Sequence, residues 1–260
     1  MYGWKGRIGL LIPSRNTTME PEFNRMAPEG VSIHAARMFL KENSPAALIK
    51  LEKEIDQAAS LIMAINPDVI VFGDTSGSFI KGLGYDQKLI KKIHGLTHAK
   101  AITTSTAVIE ALKLLKVTKV AVATPYTEEV NEKEREFIEA HGIRVTRIKG
   151  LGYSKPVKAY PLAANPVSGI GLLEPSVAYK LAQDVDTPEA DGIFISCTNF
   201  RTIEIIEALE KNMGKPVVTS NQASMAMALR VMGIREKITG FGLLLEKGFS
   251  LKDARQERRS

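Results

Sequence analysis

Apolar runs of about five residues recur along the chain, separated by amphipathic stretches of about ten to twenty. Runs such as Ile8-Gly-Leu-Leu-Ile12 and Val69-Ile-Val-Phe72 contain almost no polar alternation, which marks strands covered on both faces. The pattern predicts strands at 7–12, 31–36, 69–73, 100–103, 119–124, 143–148, 192–196 and 216–219. Between them, helices are predicted at 46–65, 105–116, 127–141, 175–185, 201–213 and 221–232. Short buried strands alternating with amphipathic helices give an α/β fold with mostly parallel sheets flanked by helices. Ligands in such sheets bind beyond the carboxyl ends of the strands. Pro13, Asp74, Ser105, Tyr126, Cys197 and Ser220 all fall at those ends.

The pattern is also duplicated. Asp68-Val-Ile-Val-Phe-Gly-Asp74-Thr75-Ser76 aligns with Asp191-Gly-Ile-Phe-Ile-Ser-Cys197-Thr198-Asn199. Arg7-Ile-Gly-Leu-Leu-Ile-Pro13-Ser14 aligns with Lys119-Val-Ala-Val-Ala-Thr-Pro125-Tyr126, and Ala101-Ile-Thr-Thr-Ser105-Thr106 with Pro216-Val-Val-Thr-Ser220-Asn221. Three blocks in the same order, offset by roughly 110 to 125 positions, predict two pseudo-symmetric Rossmann-like lobes. The expected division is residues 1–116 plus 221–260 in one lobe and 117–220 in the other.

Composition narrows the class. At 260 residues and 44% hydrophobic, the chain can build a substantial core. No apolar run approaches the ~18 residues of a membrane span, and Met1-Tyr-Gly-Trp-Lys-Gly6 lacks a signal-peptide core, so no membrane association is expected. One cysteine rules out an internal disulfide and fits a reducing, cytoplasmic setting. The net charge of +6 is spread over amphipathic helices, with a cluster only at Lys252–Arg259. No reading motif accompanies it, so nucleic acid is not an expected partner. Gly82-Leu-Gly84 and Gly169-Ile-Gly171 are not dinucleotide fingerprints, and no Walker sequence is present. His94 and His98 are four apart but have no third ligand nearby, so they read as exposed histidines and no metal site is expected.

The candidate chemistry lies at the matched strand ends. Cys197 is expected just before a helix starting near Arg201, where a helix N-terminus lowers a thiol's pKa. Asp74 is expected to face it from the other half of the repeat. There it reads as a general base, as a group that orients substrate, or as a cap on the following turn. Thr75, Ser76, Ser78, Thr198 and Asn199 supply hydroxyls, an amide and turn N–H groups suited to a carboxylate or an enediolate. The glycine-, proline- and tyrosine-rich stretch 150–175 reads either as a mobile loop closing over the site or as a plain surface excursion.

Three motifs together resemble the aspartate/glutamate racemase superfamily, in the branch of maleate cis-trans isomerases and arylmalonate decarboxylases. They are Gly9-Leu-Leu-Ile-Pro-Ser-Arg-Asn16-Thr-Thr-Met-Glu20, Asp74-Thr-Ser-Gly-Ser-Phe79 and Ser196-Cys197-Thr-Asn199. The likeness spans essentially the whole chain, and the Asn16–Glu20 block is closest to maleate isomerases. It implies an enzyme free of metals and organic cofactors, acting on a small carboxylic acid bound between the lobes. It also implies that Asn16 and Tyr126 contact substrate oxygens, with Asn165 as a candidate second asparagine. The chain departs from the pattern at position 74. Racemases and isomerases place a cysteine there and decarboxylases a glycine, whereas this chain has Asp74.

The expectation is therefore an isomerase or decarboxylase in which Cys197 is proton donor or nucleophile and Asp74 opposes it. A one-thiol racemase of amino or hydroxy acids and a non-catalytic carboxylate binder stay open as alternatives. A homo-oligomer is compatible with the exposed helices of this architecture.

Overall fold

The protein is represented by a computed structural model that describes residues 1–158 and 165–247. The basic tail at 252–259 and residues 159–164, inside the stretch read as a closing loop, lie outside the described residues. The first sheet comprises β1 (Gly6–Pro13), β2 (Val31–Met38), β3 (Val69–Phe72) and β4 (Lys100–Thr103). The second begins with β5 (Lys119–Thr124) and β6 (Arg144–Gly150). A short antiparallel ribbon follows, β7 (Pro156–Val157) with β8 (Val167–Ser168), before β9 (Gly192–Ile195) and β10 (Val217–Thr219) complete the second sheet. All pairings within the two four-stranded sheets are parallel.

The orders are β2-β1-β3-β4 and β10-β9-β5-β6. These are the same topology: β5, β6, β9 and β10 stand to one another as β1, β2, β3 and β4 do. The three matched sequence blocks thus correspond to β1 with β5, β3 with β9 and β4 with β10. In each sheet the winding direction reverses between the first strand and the third. The crevice at such a switch point is the usual ligand site of an open α/β sheet. Asn16 and Asp74 follow the two switch-point strands of one sheet, and Tyr126 and Cys197 those of the other.

The helices are α1 (Met19–Met26), α2 (Pro45–Lys50), α3 (Ile55–Met63), α4 (Thr75–Phe79), α5 (Tyr85–Thr97), α6 (Thr104–Leu114), α7 (Glu128–Ala140), α8 (Pro175–Val185), α9 (Ile206–Met213), α10 (Ser220–Met232) and α11 (Leu243–Lys247). The helix expected at 46–65 is interrupted by a 3₁₀ turn, Leu51–Glu54. Leu48, Leu51 and Ile55 stay buried through the change, so the tighter turn keeps one apolar face inward. The helix expected at 201–213 starts only at Ile206. In the segment before it, Glu22 Oε1 accepts the N–H groups of Thr202 (2.8 Å) and Ile203 (3.3 Å).

Strand residues divide between cores by their period of two. Ile8, Leu10, Ile12, Val69 and Val71 face a core continuous with the whole second sheet. Leu11, Ile70 and Phe72 face a separate core under α3 and α5. Helix α10 follows β10 of the second sheet yet packs on α6, α1, β3 and β4.

Candidate active site

A cleft of about 530 Å³ opens where the two switch points meet, lined by Asn16, Asp74, Ser76, Tyr126, Cys197, Thr198 and Asn199 among others. Most of the residues expected at the site are therefore brought together. Three are not. Thr75 points behind the cleft, where its hydroxyl donates to Ser220 Oγ (2.9 Å) and it lines a second cavity of about 190 Å³. Ser78 is buried away from the cleft, donating to Thr75 O and accepting the Ser105 N–H. Asn165 is exposed and outside the lining. His94 and His98 are also exposed, and His98 sits in a left-handed cap at the end of α5, off its helical face.

Cys197 does not stand at a helix N-terminus as expected, because α9 starts nine residues later. Its surroundings act on the thiol in the opposite sense. Burial pushes its pKa up to about 12, and the negative charges of Asp74 and Glu134 add to the rise. Hydrogen bonds from the Asn199 N–H (3.4 Å) and from Tyr126 only partly offset this. At neutral pH Cys197 is therefore a thiol rather than a thiolate. It also adopts φ 97°, the left-handed side of the backbone map, and its N–H donates to Ser220 Oγ at 3.0 Å.

Asp74 is the N-cap of α4. Its Oδ1 accepts the Gly77 N–H and the Ser76 hydroxyl, both at 3.1 Å. Its Oδ2 is buried with no hydrogen-bond partner among the described residues. Burial outweighs the two hydrogen bonds and raises its pKa to about 6. The capping role thus falls to one oxygen of the carboxyl group, and the other is left unpaired among the described residues. Tyr126 is buried, and burial with nearby negative charge holds its hydroxyl well above the ordinary tyrosine range.

Asn16 Oδ1 accepts the N–H groups of Thr18 (3.0 Å) and Met19 (2.9 Å), fixing the entry to α1. Asn199 Oδ1 accepts the Thr17 N–H at 2.9 Å, and Thr18 donates to Asn199 O at 3.0 Å. These bonds stitch the loop after β1 to the loop after β9.

Sequence reasoning missed the acids behind the cleft. Glu134 accepts from the Ser196 hydroxyl through Oε1, and burial raises its pKa to about 8. Glu22, raised to about 7 by burial, accepts from Asn221 Nδ2 at 2.7 Å, and Asn221 also donates to Thr198 O at 3.0 Å. The only sequence signal for Glu134 was a charge recurring on the apolar side of its helix, next to Val130, Phe137 and Ile138. Among the described residues, no cluster of three His, Cys, Asp or Glu is placed to hold a metal ion, and no helix is long and apolar enough to cross a membrane.

Known proteins are similar to this chain over nearly their full length. The chain is 27% identical to the arylmalonate decarboxylase of Bordetella bronchiseptica over 241 residues, covering 92% of this chain and 96% of that one. It is 26% identical over 258 residues to a maleate isomerase of Pseudomonas putida, covering 94% and 98%. A solved structure of a Nocardia farcinica maleate cis-trans isomerase mutant, holding a covalently bound succinylcysteine intermediate, superposes with a TM-score of 0.85 at 22% identity, covering 94% and 99%. The profile of the arylmalonate decarboxylase family matches residues 8–245, and the chain belongs to that family.

Proposed function

We propose that this chain is an isomerase or carboxy-lyase acting on a small carboxylic acid at the carbon beside the carboxylate, with Cys197 as its proton donor. The observation that carries this reading is a buried thiol at the cleft surface, hydrogen-bonded by Tyr126, whose pKa burial pushes up to about 12. A thiol held that far from ionisation is a poor nucleophile at rest but has a proton to give once a strong base forms beside it. The enediolate left when a malonate-type acid loses carbon dioxide is such a base. The electrons of the broken carbon–carbon bond enter the enediolate, its carbon takes the Cys197 proton, and the resulting thiolate is stabilised by Tyr126 and Asn199 until solvent reprotonates it.

Asp74 fits an orienting role better than that of a base. An anionic substrate raises the pKa of a nearby carboxyl still further. With Oδ1 occupied by Ser76 and Gly77, the proton resides on Oδ2, which is free to donate to a substrate carboxylate. Asn16, Tyr126 and Ser76 supply further polar contacts around it. Isomerisation of a maleate-like acid is the second reading, favoured by the near full-length match to maleate isomerases. Against it, position 74 carries a carboxylate, a much weaker nucleophile toward an alkene carbon than a thiol. The racemase and non-catalytic alternatives are not favoured, since the relatives matched are isomerases and a decarboxylase.

The test is to incubate the protein and Cys197→Ala with maleate, aryl- and alkylmalonates, aspartate, glutamate and hydroxy acids in heavy water, followed by proton NMR. Cys197-dependent carbon dioxide loss with deuterium at the α-carbon is expected from a malonate. Turnover that survives in Cys197→Ala contradicts the assignment.

A further inference from the structure

The floor and the mouth of the cleft are built from different chemistry. The floor holds Asp74, Cys197, Tyr126 and Asn16, whereas Arg15, Lys41 and Lys155 line the mouth. These cations come from three chain segments that are pinned to one another. Arg15 Nη1 donates to the carbonyls of Leu40 (2.6 Å) and Lys41 (2.8 Å), and its Nε donates to Pro166 O (3.2 Å). The Asn43 N–H donates to Ser154 O at 2.8 Å, joining the loop after β2 to the loop before β7.

The charges at this mouth are not neutralised. Arg15 is held by carbonyl oxygens, which satisfy its N–H groups without cancelling its charge. Lys41 and Lys155 make no side-chain hydrogen bond or ion pair among the described residues, in a protein where many surface lysines do. Glu42 is the one anion of the rim, and it already accepts from the Ser44 hydroxyl. Three cations against one carboxylate leave an uncompensated positive rim around a site whose floor takes a carboxylate.

We propose that the substrate carries a second anionic group, remote from the reacting carbon, which Arg15, Lys41 and Lys155 receive at the cleft mouth. This rests on the carboxylate-binding reading of the floor. The substrate class is therefore an elongated acid with a carboxylate, phosphate or sulfonate on its far end, larger than a four-carbon diacid. Pairing with exposed lysines is individually weak, so the rim selects among substrates rather than anchoring them by itself.

The experiment compares phenylacetate with 4-carboxyphenylacetate by calorimetric titration of the full chain and of Lys41→Gln/Lys155→Gln. Arg15 is left in place because it pins the loops. The tailed compound is expected to bind about fivefold more tightly than phenylacetate to the native chain, a gain that shrinks with added salt. In the double variant, which keeps Arg15, the ratio falls to below about twofold. Equal affinity of the two compounds for the native chain overturns the inference, as does a gain that is undiminished in the variant. A tail-dependent gain that phenylacetate does not compete away marks a separate surface site and overturns it too. If neither compound binds, the carboxylate reading of the floor fails and the rim proposal falls with it. If phenylacetate binds and the tail adds nothing, only the rim proposal fails.

Discussion

Asn16 Nδ2 donates to Thr198 Oγ1 across the cleft at 2.9 Å, and Thr198 in turn donates to Gly73 O at 3.0 Å. Three of the four switch-point loops are thereby linked by two buried hydrogen bonds. Removing one partner of a buried pair leaves the other unsatisfied, at a cost of about 1–3 kcal/mol. Asn16→Ala is expected to lower the unfolding free energy by about that amount in urea titrations. Because the two residues share one network, Asn16→Ala and Thr198→Val combined should cost less than the sum of the single variants. Strict additivity would mean that the bond carries no coupling.

The thiol offers a direct test of the site's electrostatics. With its pKa pushed up to about 12 by burial, Cys197 should react with iodoacetamide more than roughly a hundredfold more slowly at pH 8 than an unperturbed cysteine. The rate should keep climbing through pH 9 without a plateau. Tyr126→Phe removes a hydrogen bond that favours the thiolate, so it should slow alkylation further. A plateau near pH 7 would sink this picture and restore the thiolate expected from sequence.

Asp74 should reveal its protonation state in the pH profile. The kcat/KM reports ionisations of the free enzyme, where Asp74 titrates near pH 6. If its proton is what holds the substrate, kcat/KM declines as pH rises through about 6, and Asp74→Asn loses that limb while retaining activity. A rise through the same pH, abolished in Asp74→Asn, would identify a base instead.

Glu134 should make stability depend on pH in the sense opposite to a salt-bridged acid. Its pKa is 4.5 as an isolated group and about 8 in the fold, so the folded state holds the proton more tightly. The stabilisation is complete below pH 4.5 and is lost as pH rises to 8, by up to about 1.4 kcal/mol per pH unit. Glu22 and Asp74 shift the same way, so the informative quantity is the difference from Glu134→Gln. Urea unfolding at pH 5, 6.5 and 8 should show native stability falling more steeply than that of the variant.

The eight core strands were legible because residues such as Val69–Phe72 are apolar without interruption, a pattern with few alternatives in a chain of this composition. The duplicated blocks also anticipated the shared sheet topology. Helix α4 was not legible: all five of its residues are buried, so no apolar face contrasts with a polar one. Helix α5 was obscured by Gly84 and His98, left-handed residues at its two ends that read as loop. At the site, Asp74, Cys197 and Tyr126 were placed by their strand ends, and Asn16 by the family resemblance. The orientation of Thr75 was not, because neighbouring residues in a short helix point to different sides and only packing chooses between them. The sign of the thiol's shift failed for a related reason. It depended on burial, which the packing of distant segments sets and no local motif shows.

The backbone at Cys197 has a consequence for how this protein could change over generations. A non-glycine residue at φ 97° costs on the order of 1–3 kcal/mol relative to one that adopts it freely. Glycine would relieve that cost at this position, and with it would go the protein's only sulfhydryl. Relief of that strain therefore runs directly through the loss of the thiol on which the proposed reaction depends, and a lineage released from the need for it would have reason to take that route.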